Sequence, residues 1–259
     1  MRKKRAVVGI LILLAVLLAG CSNVNQPINA QSTGFWSRYF VYPLSEFIIY
    51  VAHMFWDSYG IAIIITTIIV RLVLLPLMAK QVKSSQAMQD LQPKIKALQE
   101  KYSSKDRATQ EKLQQEQMKL FQENKVNPLS GCLPLLIQMP ILFAFYQAIM
   151  RTWEIKKQSF LWFQLGAPDP FYILPIIAAL STFLQQKIMV GRMGNSNPQM
   201  AMMTYVFPIM IAVPALYFPS ALALYWVVGN IFMIFQTYFI YEKKDISQAR
   251  TESGGAKKK

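Results

Sequence analysis

Few of the groups that enzymes work with are present in this chain, and carboxylates are missing where they would matter most. Its 259 residues hold one histidine, His53, and two cysteines, Cys21 and Cys132. So sparse a set offers no zinc cluster and no disulfide framework, and His53 reads as a solvated residue rather than a ligand. No Gly-x-Ser-x-Gly, His-Glu-x-x-His or phosphate-binding glycine loop occurs. The signatures of serine hydrolases, zinc proteases and nucleotide-driven machines are therefore missing. Cys132 ends a turn-like run from Asn127 and reads as a small packing residue, not a nucleophile. No catalytic residue, metal or cofactor is expected, and the chain is not read as an enzyme.

What the chain has in quantity is apolar length. Hydrophobic residues make up 54% of it, mean hydropathy is +0.28, and several long apolar runs recur. This is the composition of an all-α polytopic membrane protein. The organising run is Gly60 to Ala79, GIAIIITTIIVRLVLLPLMA. At ~1.5 Å per residue such a run spans roughly 30 Å, the thickness of a bilayer's hydrocarbon core. In its middle sits Arg71. A guanidinium at that depth costs about 2.5–3.5 kcal/mol on insertion scales. It keeps its proton, so it needs water, a carboxylate or an anionic client. Thr67, one turn earlier, shares its helical face. Two readings compete: a wet, positively charged site inside the bilayer, or an arginine snorkelling to the nearer interface. The apolar continuation through Leu72–Leu75, Leu77 and Met78 favours depth.

Residues 1–20 read as a signal peptide, with a basic start at Arg2, Lys3, Lys4 and Arg5 and an apolar run from Ala6 to Ala19. Leu18-Ala19-Gly20-Cys21 resembles a bacterial lipobox, which implies cleavage before Cys21 and a lipid, such as palmitate, carried there. Residues 21–58 then form an external tether and an interfacial helix. Between Val41 and Asp57 the residues Glu46, Tyr50, His53 and Asp57 fall on one helical stripe, as in a helix lying on a membrane surface. The first span is 59–79.

Composition changes at Lys80. Residues 80–132 carry ten Lys/Arg against six acids, and the positive-inside rule makes them cytoplasmic. Leu91, Ile95, Leu98 and Tyr102 recur at helical spacing, as do Leu113, Leu120 and Phe121, with a turn at Ser103-Ser104-Lys105-Asp106. An αα-hairpin is predicted, with Pro93 at a start or kink of its first arm. Most of its charges read as a solvated face; as a group they suit anionic lipid or ribosomal RNA. DNA is not among the expected partners. Four further spans lie within 133–240, near Leu133–Met150, Phe171–Gln186, Met203–Phe218 and Ala221–Ile240. Several are short, which favours local bilayer thinning. The connection Arg151–Pro170 would be external, and a basic tail, 241–259, cytoplasmic and disordered. The charges fit one topology: N-terminus out, five spans, C-terminus in.

No Asp or Glu occurs in any of the five spans. Proton-coupled pumps need a titratable relay there, and Arg71 has no carboxylate to pair with. The spans do contain Thr66, Thr67, Gln138, Gln147, Ser181, Thr182, Gln185, Gln186, Asn230 and Gln236. Singly, each reads as an interhelical hydrogen bond worth about 0.6 kcal/mol. Together with Arg71 they read as a hydrated cavity that accepts negative charge from elsewhere.

Several stretches resemble the YidC membrane-insertase family. They are Thr67-Ile68-Ile69-Val70-Arg71, Leu91-Gln92-Pro93-Lys94-Ile95, Val126-Asn127-Pro128-Leu129, Leu136-Ile137-Gln138-Met139-Pro140-Ile141, Asp169-Pro170-Phe171-Tyr172-Ile173-Leu174-Pro175 and Phe218-Pro219-Ser220. The likeness runs in order from about Phe35 to Tyr241, and the lipobox resembles the Gram-positive form. It implies five transmembrane helices forming a hydrophilic groove, open to cytoplasm and lipid and closed outside. It implies that Arg71 lines the groove and that the client, a nascent membrane protein, slides along the first, third and fifth spans. The residues carried over are Thr67, Gln138, Tyr225, Trp226 and, in the third span, Gln186, with neighbouring Gln185 as the alternative. Two readings from other classes stand beside it. An organic-anion transporter would use Arg71 as counter-ion, though no internal repeat is visible. A ribosome-docking scaffold would need the hairpin but not Arg71. A Sec translocon is a further expected partner.

Overall fold

The computed structural model describes residues 26–104, 106–127, 133–192 and 198–255. The signal segment, Cys21 and Cys132 lie outside the described residues. A π-helical turn, Ser37–Val41, leads into α1, Tyr42–Met54. Then follow α2, Tyr59–Asp90; α3, Gln92–Lys101; α4, Arg107–Glu123; and α5, Leu133–Arg151. A short α6, Trp153–Lys156, precedes an antiparallel pair, β1, Ser159–Phe160, and β2, Phe163–Gln164. The chain continues with α7, Ile173–Arg192; α8, Pro198–Ala215; and α9, Ser220–Gly255.

Among the described residues, three stretches are long and apolar enough to cross a membrane: within Tyr59–Lys101, at Ile173–Gly191 and at Ser220–Phe239. Two shorter apolar helices are Leu136–Arg151 and Thr204–Ala215. Large apolar side chains stay uncovered along the long helices, among them Leu72, Val73, Ile176, Leu180, Ile209, Val213 and Phe235. Such continuous exposed apolar faces are stable in lipid and not in water.

The chain divides into two compact units. The first holds residues up to Val70, Ile137–Leu180 and Ile209–Gly229. Its interior is apolar. Ile48 and Ala52 of α1, Ile63 of α2, Phe145 and Ile149 of α5 and Tyr225 of α9 meet Ile155, Phe163 and Leu165 of the α5–α7 connection. On α1 Glu46, Tyr50 and His53 are exposed, whereas Asp57, also exposed, lies beyond the helix in the turn that follows Met54. The connection carries a short helix and a strand pair. Leu161 adopts a left-handed φ of 54° and lets β1 turn back on β2. Main-chain bonds from Ser220 N to Ala167 O (2.7 Å) and Ala221 N to Leu165 O (3.1 Å) tie it to the start of α9. A Cβ at Gly60 would fall inside the Phe160 ring, so only glycine admits this close approach.

Two buried charges anchor this unit. Asp169 accepts from Trp162 Nε1 (3.1 Å), Phe171 N (3.1 Å) and Leu174 N (2.7 Å). Arg151 donates to Gln26 O (2.9 Å), Ser37 Oγ (2.9 Å) and Gln147 Oε1 (3.2 Å).

The second unit holds Arg71–Leu136, Ser181–Pro208 and the chain from Asn230. Here α2 runs on past the apolar span to Asp90, since Lys80–Asp90 contains no glycine or proline to end a helix. The α3–α4 pair forms a hairpin with a thin seam: Leu91 and Ile95 are buried, and Leu98, Tyr102, Leu113, Leu120 and Phe121 half-buried. Pro93 sits in the first turn of α3. Likewise α9 continues helical to Gly255, where a disordered tail was expected from charge alone; Tyr241–Ser253 also lacks glycine and proline.

Asp106 is the N-cap of α4 and accepts from Thr109 N at 2.9 Å. That bond and a contact with the Ser104 hydroxyl hold its carboxyl well below the usual carboxylate range. A depressed folded-state pKa stabilises above the unfolded value, and this contribution fades as pH falls below about 4. Protection of the Thr109 amide from hydrogen exchange is therefore expected to drop there. Asp106→Ala should show the same loss at neutral pH, and unchanged protection in that variant would refute the cap.

Candidate functional site

The interior of the second unit inverts the usual pattern. Among the described residues its buried polar side chains are Arg71, Gln81, Thr182, Gln185, Thr204, Asn230 and Thr237, whereas its buried apolar ones are Met78, Leu91 and Ile95. On α7, Ser181, Thr182 and Gln185 repeat at helical spacing, which brings three polar groups to one side. Asn230 of α9 donates to Thr182 Oγ1 (2.8 Å) and Ser181 Oγ (3.1 Å). Gln185 reaches only a soft acceptor, Met189 Sδ, at 3.6 Å. Thr237 returns its hydroxyl to Met233 O (2.8 Å).

Arg71 is 8% exposed. Its one hydrogen bond among the described residues runs from Nη1 to Met233 Sδ at 3.7 Å. A thioether is a weak acceptor, and a guanidinium carries five donors. The ion pairs among the described residues, His53–Asp57 and Arg107–Glu111, are both exposed and do not involve Arg71. The buried cation therefore lacks a carboxylate within the described residues. It is a site that an anionic group entering from elsewhere would satisfy.

The other predicted site residues divide between the units. Gln186, like Arg71, belongs to the second, where it is half-buried while Gln185 is buried. Of the two amides, Gln185 shares the face of Thr182. Thr67, Gln138, Tyr225 and Trp226 belong to the first unit. Thr67 is fully buried, and its hydroxyl is spent on Ile63 O at 2.6 Å. Gln138 Nε2 donates to the Tyr225 hydroxyl at 2.6 Å, and the Tyr225 ring packs 4.5 Å from that of Phe145. Tyr225 is thus a core residue, not an open contact surface. Trp226 is half-buried and packs against Ala178, Ile211 and Val227. Asn230 was visible in the sequence only as an amide within a span, and Gln185 also as the alternative to Gln186. Gln81 was hidden in the basic segment, although it continues the Arg71 stripe.

The family model for the 60Kd inner membrane protein matches residues 50–248. The chain belongs to this family. It is 57% identical over 258 residues to membrane protein insertase YidC 2 of Bacillus anthracis, with all of both chains covered. It is 59% identical over 244 residues to membrane protein insertase MisCA of Bacillus subtilis (strain 168), with 94% of each covered. Among solved structures it is similar to an active YidC insertase with its first transmembrane domain resolved, at a TM-score of 0.63 and 29% identity. That likeness covers 80% of this chain but 47% of the other, so the present chain spans about half of that insertase. Every groove candidate lies inside the 60Kd inner membrane protein match, and Cys21 lies before it.

Proposed function

We propose that this chain is a membrane-protein insertase that draws the hydrophilic segment of a nascent membrane protein into a positively charged intramembrane groove. The observation that carries this is Arg71, buried beside a thioether in a unit whose described interior side chains are mostly polar. The relatives named as membrane protein insertases support it. Arg71 attracts acidic residues in the client's short external segment. The client's apolar helix then moves into lipid, where burial of its surface drives release. The cation is a binding group, and no bond is made or broken by this chain.

In this reading five helices span the plasma membrane, including the two short ones, α5 and α8, which thin the bilayer locally. The N-terminus is outside, lipid-anchored at Cys21 after removal of residues 1–20. The α3–α4 hairpin and the C-terminus are cytoplasmic, where basic surface meets the ribosome or a Sec translocon. The test is reconstitution: the purified protein in liposomes, with a single-span client synthesised in their presence and scored by protease protection. Protection above protein-free liposomes is expected. Its absence, with anion flux across the same liposomes, would replace the reading by a transporter.

A further inference from the structure

Gln81 is 5% exposed, and its Nε2 is buried with no hydrogen-bond partner among the described residues. An unmade bond on a buried amide is a standing cost, and folded chains seldom keep one without a use. Its position gives that use. On α2, Arg71, Leu74, Met78 and Gln81 lie within one helical stripe, and ten residues set Gln81 about 15 Å along the axis from Arg71. Arg71 and Met78 of this stripe are buried with it. Both polar members offer donors in search of acceptors. Among the described residues the unit's buried apolar side chains are Met78, Leu91 and Ile95, so little apolar packing there holds the surroundings shut.

We infer that Gln81 is a second client-binding residue, whose free Nε2–H donates to an acceptor oxygen of the client's hydrophilic segment. This rests on the insertase reading. An extended segment rises about 3.3 Å per residue, so some five residues bridge from Gln81 to Arg71. The segment would meet one donor before the other and be held at two points when both are engaged.

The decisive variant is Gln81→Met, which keeps the shape of the side chain and removes the amide. Its expected signature is divided. Thermal stability in detergent is unchanged or higher, because an unsatisfied buried group is gone. Insertion of an acidic-tailed single-span client into liposomes falls about tenfold, the worth of one charge-assisted bond. A photoreactive residue at position 81 is expected to crosslink to the client's hydrophilic segment during insertion. Wild-type insertion by Gln81→Met, or a loss of insertion that only follows a loss of stability, would overturn the inference while leaving the insertase standing. If wild type itself inserts nothing, both readings fall together.

Discussion

Arg71→Glu is expected to abolish insertion of a client whose external tail is acidic, and Arg71→Lys to retain most of it. The reason is the state of the native arginine. Its hydrogen bond among the described residues is to Met233 Sδ at 3.7 Å, so replacing it breaks little. Unlike most buried charges, it can be removed without stranding a partner among the described residues, and protein levels should hold. What is lost is attraction for the client. Two unit charges 4 Å apart at an effective dielectric near 20 attract by about 4 kcal/mol. Water in the groove weakens this, yet each 1.4 kcal/mol kept is about tenfold. Glu reverses the sign, so its effect exceeds that of Arg71→Ala. A client with a neutral tail should be much less sensitive to all three variants. The measurement is protease protection in liposomes, with each variant matched for protein content. Equal insertion of the acidic client by wild type, Ala, Lys and Glu would show that the charge does no work.

Arg71 was legible because one cation amid apolar residues stands out at any alignment of the helix. The hairpin was legible because its leucines repeat and its turn carries Asp106. Partner choice was not. Asn230 and Thr182 are far apart in sequence, and nothing in either name selects the other. Gln185 and Gln186 differ by a 100° step around α7, and both are amides. Only the packing of α7 separates them: Gln185 is buried and Gln186 half-buried. Tyr225 enters only through the family resemblance, and Gln138 and Phe145 on another helix draw it into the core. The change of composition at Lys80 marks a change of solvent, not of backbone, and α2 runs through it. Charge says where lipid ends, whereas glycine, proline and caps say where a helix ends. Inside the connection Arg151–Pro170, β1, β2 and α6 are too short to show a period in the sequence.

Within that connection the largest stability loss is expected from Asp169→Ala. The residue is 2% exposed, and its two oxygens serve three donors. Oδ1 takes the Trp162 indole and Phe171 N; Oδ2 takes Leu174 N at the start of α7. Alanine leaves these donors without their acceptor, and Pro168 and Pro170 on either side limit how the backbone can move to find another. A net loss of about 2–4 kcal/mol follows from hydrogen bonds to a charged acceptor, counted as coupled rather than additive. Asp169→Asn should fall between, because its amide keeps one acceptor oxygen and sets a donor where the other stood. Trp162 supplies an independent readout: release of its indole from the carboxylate should shift its fluorescence in Ala but less in Asn. Both variants should insert clients normally below their unfolding temperature, since the hydrogen-bond partners of Asp169 are Trp162, Phe171 and Leu174, none of them a proposed client-binding residue. Thermal unfolding of purified protein in detergent decides it. An Ala variant as stable as wild type would mean that water replaces the carboxylate without loss, and that the connection is held by its main-chain bonds to α9 alone.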